Sequence, residues 1–159
     1  MEVQADGNLA YSMKLVEGKT FKELINGAKA FYDQGLRPDA EHAQPQLLDY
    51  FLKACDAVAY AHSKGVIHRD LKPANIMVGR YNEVYVMDWG IARVMSYVDD
   101  MPAGWVELGA PEGDDASDER TRAGQILGTP RYMSPQQAAG RNDQLDGRSD
   151  LFAMGLILY

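Results

Sequence analysis

A short cluster of polar residues lies between two apolar runs near the middle of the sequence. It reads HRDLKPAN over residues 68–75 and carries the carboxylate of Asp70, the ammonium of Lys72 and the amide of Asn75. Asp88 adds a second carboxylate shortly afterwards. Transfer of a phosphoryl group to a hydroxyl needs a carboxylate that orients the nucleophile, a cation that holds the phosphate, and oxygen ligands for Mg²⁺. These four side chains could together supply all three.

A β-hairpin is predicted directly after this cluster. Apolar residues favour short strands over residues 75–78 and 84–87, joined by the turn sequence GRYN at residues 79–82. In a hairpin the start of the first strand lies beside the end of the second. The cluster and Asp88 are therefore expected to emerge at the same end of the hairpin.

Two helices are predicted before the cluster. The first covers residues 21–32, where apolar residues recur at helical spacing after Thr20, which can cap the first turn. The second covers residues 46–64 and ends at Gly65. Residues 33–45 contain glycine and proline and are typical of a loop between the two helices.

Further elements are predicted towards both ends of the sequence. A strand is expected over residues 9–16, followed by a break at residues 17–19. A short helix is expected over residues 134–139, and a longer one over residues 147–159. The second half of the longer helix is apolar all round, which is typical of a helix in the middle of a core. In the isolated chain we expect part of that apolar surface to be exposed.

Composition and charge limit the classes of protein to consider. The chain has 159 residues, 46% of them hydrophobic and 25% charged, which fits one globular domain. Its formal net charge of -7 gives no electrostatic reason to expect nucleic acid or an anionic membrane surface as a partner. The single Cys55 can form no internal disulfide and fits a reducing compartment. No signal peptide or membrane-spanning run is visible in this chain, so a cytoplasmic location is expected.

An acidic stretch covers residues 96–128. It contains eight carboxylates and two arginines with few large apolar side chains, which is typical of an exposed loop. Two interpretations stay open: a solvated linker, or a regulatory segment in which a phosphate on Ser117 or Thr121 pairs with Arg69. The surrounding carboxylates would repel such a phosphate, and this favours the linker.

The order and spacing of these motifs resemble those of the protein kinase family. HRDLKPAN matches the catalytic-loop pattern H-R-D-L-x-x-x-N at every fixed position. The triplet DWG at residues 88–90 stands where the family has D-F-G. Lys72 and the run GTPRYMSP at residues 128–135 are similar to the serine/threonine branch, and the phrase VMDWG is similar to bacterial members.

The resemblance implies an α+β fold of the protein kinase type. It places the end of the small lobe and the hinge in residues 1–19, with most of the small lobe missing. A partial, mostly helical large lobe with a short β-hairpin would follow in residues 20–159. This part would contain the catalytic loop at 68–75, the activation segment at 88–136 and the start of the central helix at 147–159. No glycine-rich loop, strand lysine or partner glutamate precedes Met13, so we expect a fragment that is not competent alone.

The resemblance also implies roles for the polar cluster. Asp70, Lys72 and Asn75 would be the catalytic residues, with Asp70 orienting the attacking hydroxyl and Lys72 balancing the charge of the transferring phosphate. Asn75 and Asp88 would bind Mg²⁺. ATP would be the phosphoryl donor.

Nucleotide contacts are implied at two places in the sequence. Met13 resembles the gatekeeper residue, and Lys14 and Val16 lie in a segment that resembles the hinge, whose backbone would meet adenine. Met77 resembles the residue that packs beneath the adenine ring. These roles depend on the resemblance alone, because both methionines would be ordinary core residues in any fold.

Several other residues would support the catalytic loop. Arg69 would pair with a phosphorylated activation segment, Thr129 would contact the catalytic Asp and Lys, and Asp150 would hold the backbone of the loop. His68 is interpreted as a packing and hydrogen-bonding residue rather than an acid or base. His62, at the end of the second helix, is interpreted as structural.

Two departures from the family pattern keep a second function open. Trp89, which precedes Gly90, replaces a phenylalanine whose packing sets active or inactive states, and its indole N–H needs a partner. Gln136 replaces the glutamate of the A-P-E motif. The first hypothesis is a serine/threonine protein kinase that transfers phosphate from ATP to a protein substrate. The alternative is a pseudokinase or docking module that binds nucleotide or partners without catalysis.

The expected partners follow from the first hypothesis. They are a protein substrate with a Ser or Thr hydroxyl, the missing small lobe and the rest of the large lobe. Any membrane anchor of the parent protein would lie outside this chain. A small-molecule kinase of related fold is a third interpretation, and Arg69, Lys72 and the run at residues 128–130 point away from it.

Overall fold

The described part of the chain contains four α-helices, three short 3₁₀ helices and seven short strands. The computed structural model describes residues 2–3, 9–10, 16–89, 92–94 and 128–159. The helices are α1 (Phe21–Asp33), α2 (Gln44–Ser63), α3 (Pro135–Ala138) and α4 (Gly147–Leu158). The strands are β1 (Glu2–Val3), β2 (Leu9–Ala10), β3 (Gly18–Thr20), β4 (Val66–Ile67), β5 (Ile76–Gly79), β6 (Val84–Val86) and β7 (Arg93–Val94). This content agrees with the predicted α+β class.

Helix α1 begins with the predicted threonine cap. The side chain of Thr20 accepts a hydrogen bond from the Glu23 N–H at 3.2 Å, and the Glu23 carboxylate accepts one from the Thr20 N–H at 2.7 Å. This reciprocal pair satisfies two N–H groups that the first turn would otherwise leave without partners. Phe21, Leu24 and Ala28 are buried on one face, so the periodicity predicted this helix correctly.

Helix α2 begins two residues before its predicted start. It covers Gln44–Ser63, and Pro45 lies in its first turn rather than in the preceding loop. A proline is tolerated there because N–H groups of the first turn have no partner within the helix. Phe51, Ala54 and Val58 are buried along its inner face.

The predicted hairpin is present, and a third strand joins it. Strands β5 and β6 pair antiparallel with Ile76 opposite Val86, and β3 pairs with the other edge of β5. The predicted break at residues 17–19 is therefore wrong for its last two residues. Any side chain at Gly18 would overlap the carbonyl group of Val78. The glycine allows this close strand pairing instead of interrupting it.

A second, smaller sheet lies at the base of the polar cluster. Strand β4 ends directly before residue 68, and it pairs antiparallel with β7, which follows the DWG triplet. This pairing of two-residue strands was not predicted. It joins the chain just before the cluster to the chain just after Asp88.

The core lies between α1, α2, the hairpin and α4. Its most buried side chains include Leu24, Ala54, Leu71 and Ile76. Helix α4 contributes its inner face to this core, while Leu151, Phe152, Leu156 and Leu158 are exposed. The expected exposure of part of its apolar surface is confirmed. None of the described helices combines the length and the apolar character needed to cross a bilayer.

Candidate active site

The carboxylate of Asp150, in the first turn of α4, holds the beginning of the polar cluster. Its side chain is 1% exposed. One oxygen, Oδ2, accepts a hydrogen bond from the His68 N–H at 2.8 Å, and Oδ1 accepts one from the Arg69 N–H at 2.9 Å. Two buried N–H groups are thus satisfied by one buried carboxylate, which fixes the chain where it enters the cluster.

His62 adds a third contact to the same carboxylate. It lies in the last turn of α2, and its Nε2 is 2.8 Å from Oδ2 of Asp150. The imidazole also packs closely against Gly147, where a Cβ atom would lie 2.9 Å from the His62 ring. The sequence suggested only a structural residue here, whereas the contact ties α2 to the residue that holds the cluster.

His68 connects the two carboxylate-bearing segments. Its Nε2 lies 2.8 Å from the carbonyl oxygen of Met87, and its Nδ1 accepts a hydrogen bond from the Asp70 N–H at 3.3 Å. A carbonyl oxygen can only accept, so the ring carries its proton on Nε2. The side chain is fully buried. Both nitrogens are therefore engaged in holding backbone, which agrees with the interpretation of His68 as a hydrogen-bonding residue.

The carboxylate of Asp70 is surrounded by four donors, the most distant of which is the Asn75 amide nitrogen, 3.4 Å from Oδ2. Oδ1 accepts hydrogen bonds from the N–H and the hydroxyl of Thr129, each at 2.8 Å. Oδ2 lies 2.6 Å from Nζ of Lys72, and that ammonium also donates to the Thr129 hydroxyl oxygen at 2.9 Å. The structure therefore brings these four predicted residues together although Thr129 is far away in sequence.

These donors decide the protonation of Asp70. Burial by itself would raise the pKa of this carboxyl group. The hydrogen bonds from Lys72 and Thr129 and the positive charge of Lys72 outweigh burial and hold the pKa below its usual range. Asp70 is thus a carboxylate at neutral pH and can accept a hydrogen bond from a hydroxyl group.

Asn75 and Asp88 lie at the adjoining ends of the two hairpin strands. The Asn75 amide nitrogen donates to the Asp70 carbonyl oxygen at 2.9 Å, which fixes the side chain. The backbone of Asn75 is paired with Met87, whose N–H donates to the Asn75 carbonyl oxygen at 2.8 Å. Asp88 follows directly, with an exposed side chain and a positive φ of 62°. The expectation that the cluster and Asp88 emerge at one end of the hairpin is confirmed at the level of the backbone.

The side chains available there fit Mg²⁺ only together with a phosphate ligand. Among the described residues, no group of three or more His, Cys, Asp or Glu could hold a metal ion. Mg²⁺ in nucleotide sites is held by one or two protein oxygen ligands, by phosphate oxygens and by water. The carboxylate of Asp88 and the amide oxygen of Asn75 are hard oxygen donors of the required kind.

Trp89 is accommodated by its neighbours. Its indole N–H donates to the Val86 carbonyl oxygen at 2.9 Å, which supplies the required partner. Its ring lies against His68, with the ring centroids 4.5 Å apart and the planes tilted by 53°. The tryptophan in place of phenylalanine therefore adds a hydrogen bond to Val86, and its ring packs against His68 of the polar cluster.

The predicted nucleotide-binding positions lie partly within and partly outside the described residues. Val16 is half-buried two residues before β3, and Met77 is half-buried on β5. Met13, Lys14 and Gly90 lie outside the described residues, as do all but the last residue of the acidic stretch. The predicted nucleotide contacts stay predictions.

Gln137 also contacts the polar cluster, although no motif or spacing in the sequence selects it. Its side chain is 3% exposed, and its Nε2 donates to the Arg69 carbonyl oxygen at 2.6 Å. A glutamine in a polar segment carries no periodic or spacing signal that distinguishes a buried position from an exposed one. Only the three-dimensional contact identifies it.

Comparison with known proteins gives a consistent result over almost the whole chain. The family model described as "Protein kinase domain" matches residues 3–159. The chain is 38% identical over 159 residues to the serine/threonine-protein kinase PknD of Protochlamydia amoebophila, covering 99% of this chain and 16% of that protein. It is 34% identical to PknD of Chlamydia abortus over 98% of this chain and 16% of that protein. It is 32% identical to the serine/threonine-protein kinase PknB of Mycolicibacterium smegmatis, covering 97% of this chain and 20% of that protein. The chain thus spans about a fifth or less of the length of these relatives.

Proposed function

We propose, because the chain belongs to the protein kinase family, that it carries the catalytic loop of a serine/threonine protein kinase. The reaction would move the γ-phosphate of ATP to a Ser or Thr hydroxyl of a protein substrate. The names of the relatives, which are serine/threonine-protein kinases, support this proposal.

The observation that carries the proposal is the hydrogen-bonded group of Asp70, Lys72 and Thr129. Burial does not keep Asp70 protonated, because the hydrogen bonds from Lys72 and Thr129 lower its pKa, and the ionised carboxylate can align an attacking hydroxyl. Lys72, 2.6 Å from that carboxylate, would place a positive charge beside the transferring phosphate. Thr129 would hold the Asp70 carboxylate through its N–H and hydroxyl, and the Lys72 ammonium through its hydroxyl oxygen.

Asn75 and Asp88 would hold Mg²⁺ against the phosphates of the nucleotide. A Mg²⁺–ATP complex supplies the phosphoryl group and neutralises much of its charge. The chain's own part is to present an amide oxygen and a carboxylate from adjoining strand ends, with the amide of Asn75 already oriented by the Asp70 carbonyl group.

The lobe assignment is part of the same proposal. Residues 1–19 would be the end of the small lobe and the hinge, and residues 20–159 would belong to the large lobe. Met13, Lys14 and Val16 would then meet adenine from the hinge, and Met77 on β5 would pack beneath it. The lysine–glutamate pair that protein kinases require would come from other parts of the kinase domain.

The proposal is tested in the full-length protein with Asp70→Asn. This change keeps the size of the side chain and removes the charge, so kcat for phosphate transfer to a protein substrate should fall by roughly 1,000-fold or more. Asp143→Asn is the matched control, because Asp143 is an exposed aspartate on the surface. Its kcat should stay within about twofold of the unsubstituted protein.

Two results would contradict the proposal. The first is near-normal transfer by Asp70→Asn. The second is that the unsubstituted protein binds Mg²⁺–ATP in a titration yet transfers phosphate to no protein substrate. That second result would support the alternative of a pseudokinase or docking module.

A further inference from the structure

We propose that Gln137 is a positioning residue that holds the peptide group between Arg69 and Asp70, and so sets the position of the Asp70 carboxylate. The inference rests on the proposed function and deepens it. It concerns a contact between α3 and the polar cluster that the motifs do not indicate.

The amide group of Gln137 has a single possible orientation. Its Oε1 accepts a hydrogen bond from the Ser134 N–H at 3.1 Å, and its Nε2 donates to the Arg69 carbonyl oxygen at 2.6 Å. Rotating the amide by 180° would place two donors together and two acceptors together. The Ser134 side chain in turn accepts from the Gln137 N–H at 3.3 Å, which completes a capping box at the start of α3. The side chain that meets Arg69 is thus rigidly held.

The backbone that Gln137 meets is under strain. Arg69 has a φ of 69°, a left-handed conformation that costs a residue with a side chain about 1 kcal/mol or more. Such a conformation persists only where the surroundings fix it. Asp150 holds the Arg69 N–H, and Gln137 holds the Arg69 carbonyl oxygen.

The next peptide group links this strain to the reacting carboxylate. The peptide between Arg69 and Asp70 is held on its carbonyl side by Gln137 and on its N–H side by the imidazole of His68. If that peptide rotated, the Cα–Cβ bond of Asp70 would turn with it. The carboxylate would then leave the donors of Thr129 and Lys72 on which its alignment depends.

The segment from Gly128 to Gln137 therefore contacts the polar cluster at both of its ends. At one end Thr129 binds the Asp70 carboxylate, and at the other Gln137 binds the Arg69 carbonyl group. A Cβ atom at Gly128 would lie 3.0 Å from the same carbonyl oxygen, so the segment packs directly against it. The position of Asp70 is thus coupled to the conformation of this segment at two points.

The decisive variant is Gln137→Glu in the full-length protein. The glutamate keeps an oxygen for the Ser134 N–H but sets its second oxygen against the Arg69 carbonyl oxygen. We expect kcat to fall roughly 10- to 100-fold, while KM for Mg²⁺–ATP changes less than about threefold, because misplacement of a reacting group acts mainly on the chemical step. Gln144→Glu, the same substitution at an exposed position nearby, should leave both constants unchanged.

A pH profile separates positioning from a loss of folded protein. When the new glutamate is protonated, its O–H can donate to the Arg69 carbonyl oxygen. The ratio of the Gln137→Glu kcat to the unsubstituted kcat should therefore rise as the pH is lowered from 8 to 5.5. Gln137→Met cannot be rescued in this way and should show a flat ratio. A lower melting temperature with an unchanged kcat of the folded fraction would overturn the inference.

Hydrogen exchange measures the effect of Gln137 on the backbone of the polar cluster without an assay of phosphate transfer. If the unsubstituted protein transfers no phosphate, the proposed function is wrong. Amide exchange at residues 68–71 then decides the inference: faster exchange in Gln137→Glu but not in Gln144→Glu supports it, and equal exchange in both overturns it. If the unsubstituted protein and Gln137→Glu transfer phosphate at the same rate, only the inference is wrong.

Discussion

The two halves of the site differ in how they are held. Asp70 lies in a loop whose backbone and carboxylate are bound by Asp150, His68, Thr129 and Lys72. Asp88 has a left-handed backbone and an exposed side chain, and no hydrogen bond joins its carboxylate to the described residues. The carboxylate that we propose to orient a hydroxyl is thus held in place by other residues of the chain itself. The Asp88 carboxylate, which we propose to bind Mg²⁺, is exposed at the surface of the described structure.

The largest effect on the free energy of unfolding should come from Asp150→Asn, with Asp88→Asn as its matched control. The pair compares the tightly held half of the site with the exposed half. In Asp150→Asn the amide NH₂ group faces the buried N–H of either His68 or Arg69, so one of these N–H groups loses its acceptor. A buried donor without an acceptor costs roughly 1–3 kcal/mol. We expect the free energy of unfolding of the full-length protein to fall by about 2 kcal/mol or more. Asp88→Asn keeps a residue that tolerates the left-handed conformation and should change it by about 0.5 kcal/mol at most. The measurement is chemical denaturation without nucleotide, and equal losses in the two variants would contradict the contrast.

A smaller effect should appear in the acid limb of the stability curve. The pKa of Asp70 is lowered in the folded protein, so its ionised form stabilises the fold above about pH 4 and this contribution is lost as pH falls through the folded pKa. Lys72→Met removes a hydrogen bond and a charge that lower the pKa, while burial continues to raise it.

The pKa of Asp70 should therefore rise in Lys72→Met, and stability should be lost at a higher pH. Carboxyl NMR titration of Asp70 and denaturation midpoints between pH 6 and 3 would measure both changes. Lys29→Met, on the exposed face of α1, serves as the control and should leave the titration where it was. An unchanged Asp70 titration in Lys72→Met would show that the ammonium does not act on this carboxylate.

The smallest effect is expected from Trp89→Phe. It removes the indole N–H that donates to the Val86 carbonyl oxygen but keeps a ring against His68. One hydrogen bond contributes about 1 kcal/mol, so the free energy of unfolding should fall by about that amount and kcat should stay within about threefold. If Trp89→Phe were more stable than the unsubstituted protein, the hydrogen bond of the Trp89 indole would not stabilise the fold.

Sequence reasoning succeeded where local signals determine the structure. Helix α1 is determined by its periodic apolar residues and the Thr20 cap, and the hairpin is determined by its strands and turn. In both elements the residues that determine the structure are close together in sequence. The polar cluster could likewise be selected by residue type and spacing. Its distant partner Thr129 was found through the family resemblance alone.

The missed features all depend on contacts between distant segments. Strand β3 exists because Gly18 lets the chain approach β5 closely, and the pairing of β4 with β7 involves two residues on each side. Neither has the length or alternation that predicts a strand. Gln137 is a buried polar residue that contacts the distant Arg69, and His62 is a half-buried one that contacts the distant Asp150. No local pattern encodes either contact.

The proposed function requires Asn75 and Asp88 to meet one metal–nucleotide complex beside Asp70. The direct test is paramagnetic broadening of amide NMR signals in the full-length protein with a nucleotide and Mn²⁺ in place of Mg²⁺. We expect the strongest broadening at Asn75 and Asp88 and weaker broadening at Asp70. In Asp88→Asn this broadening should be lost. Broadening centred elsewhere on the chain, or unchanged by Asp88→Asn, would contradict it.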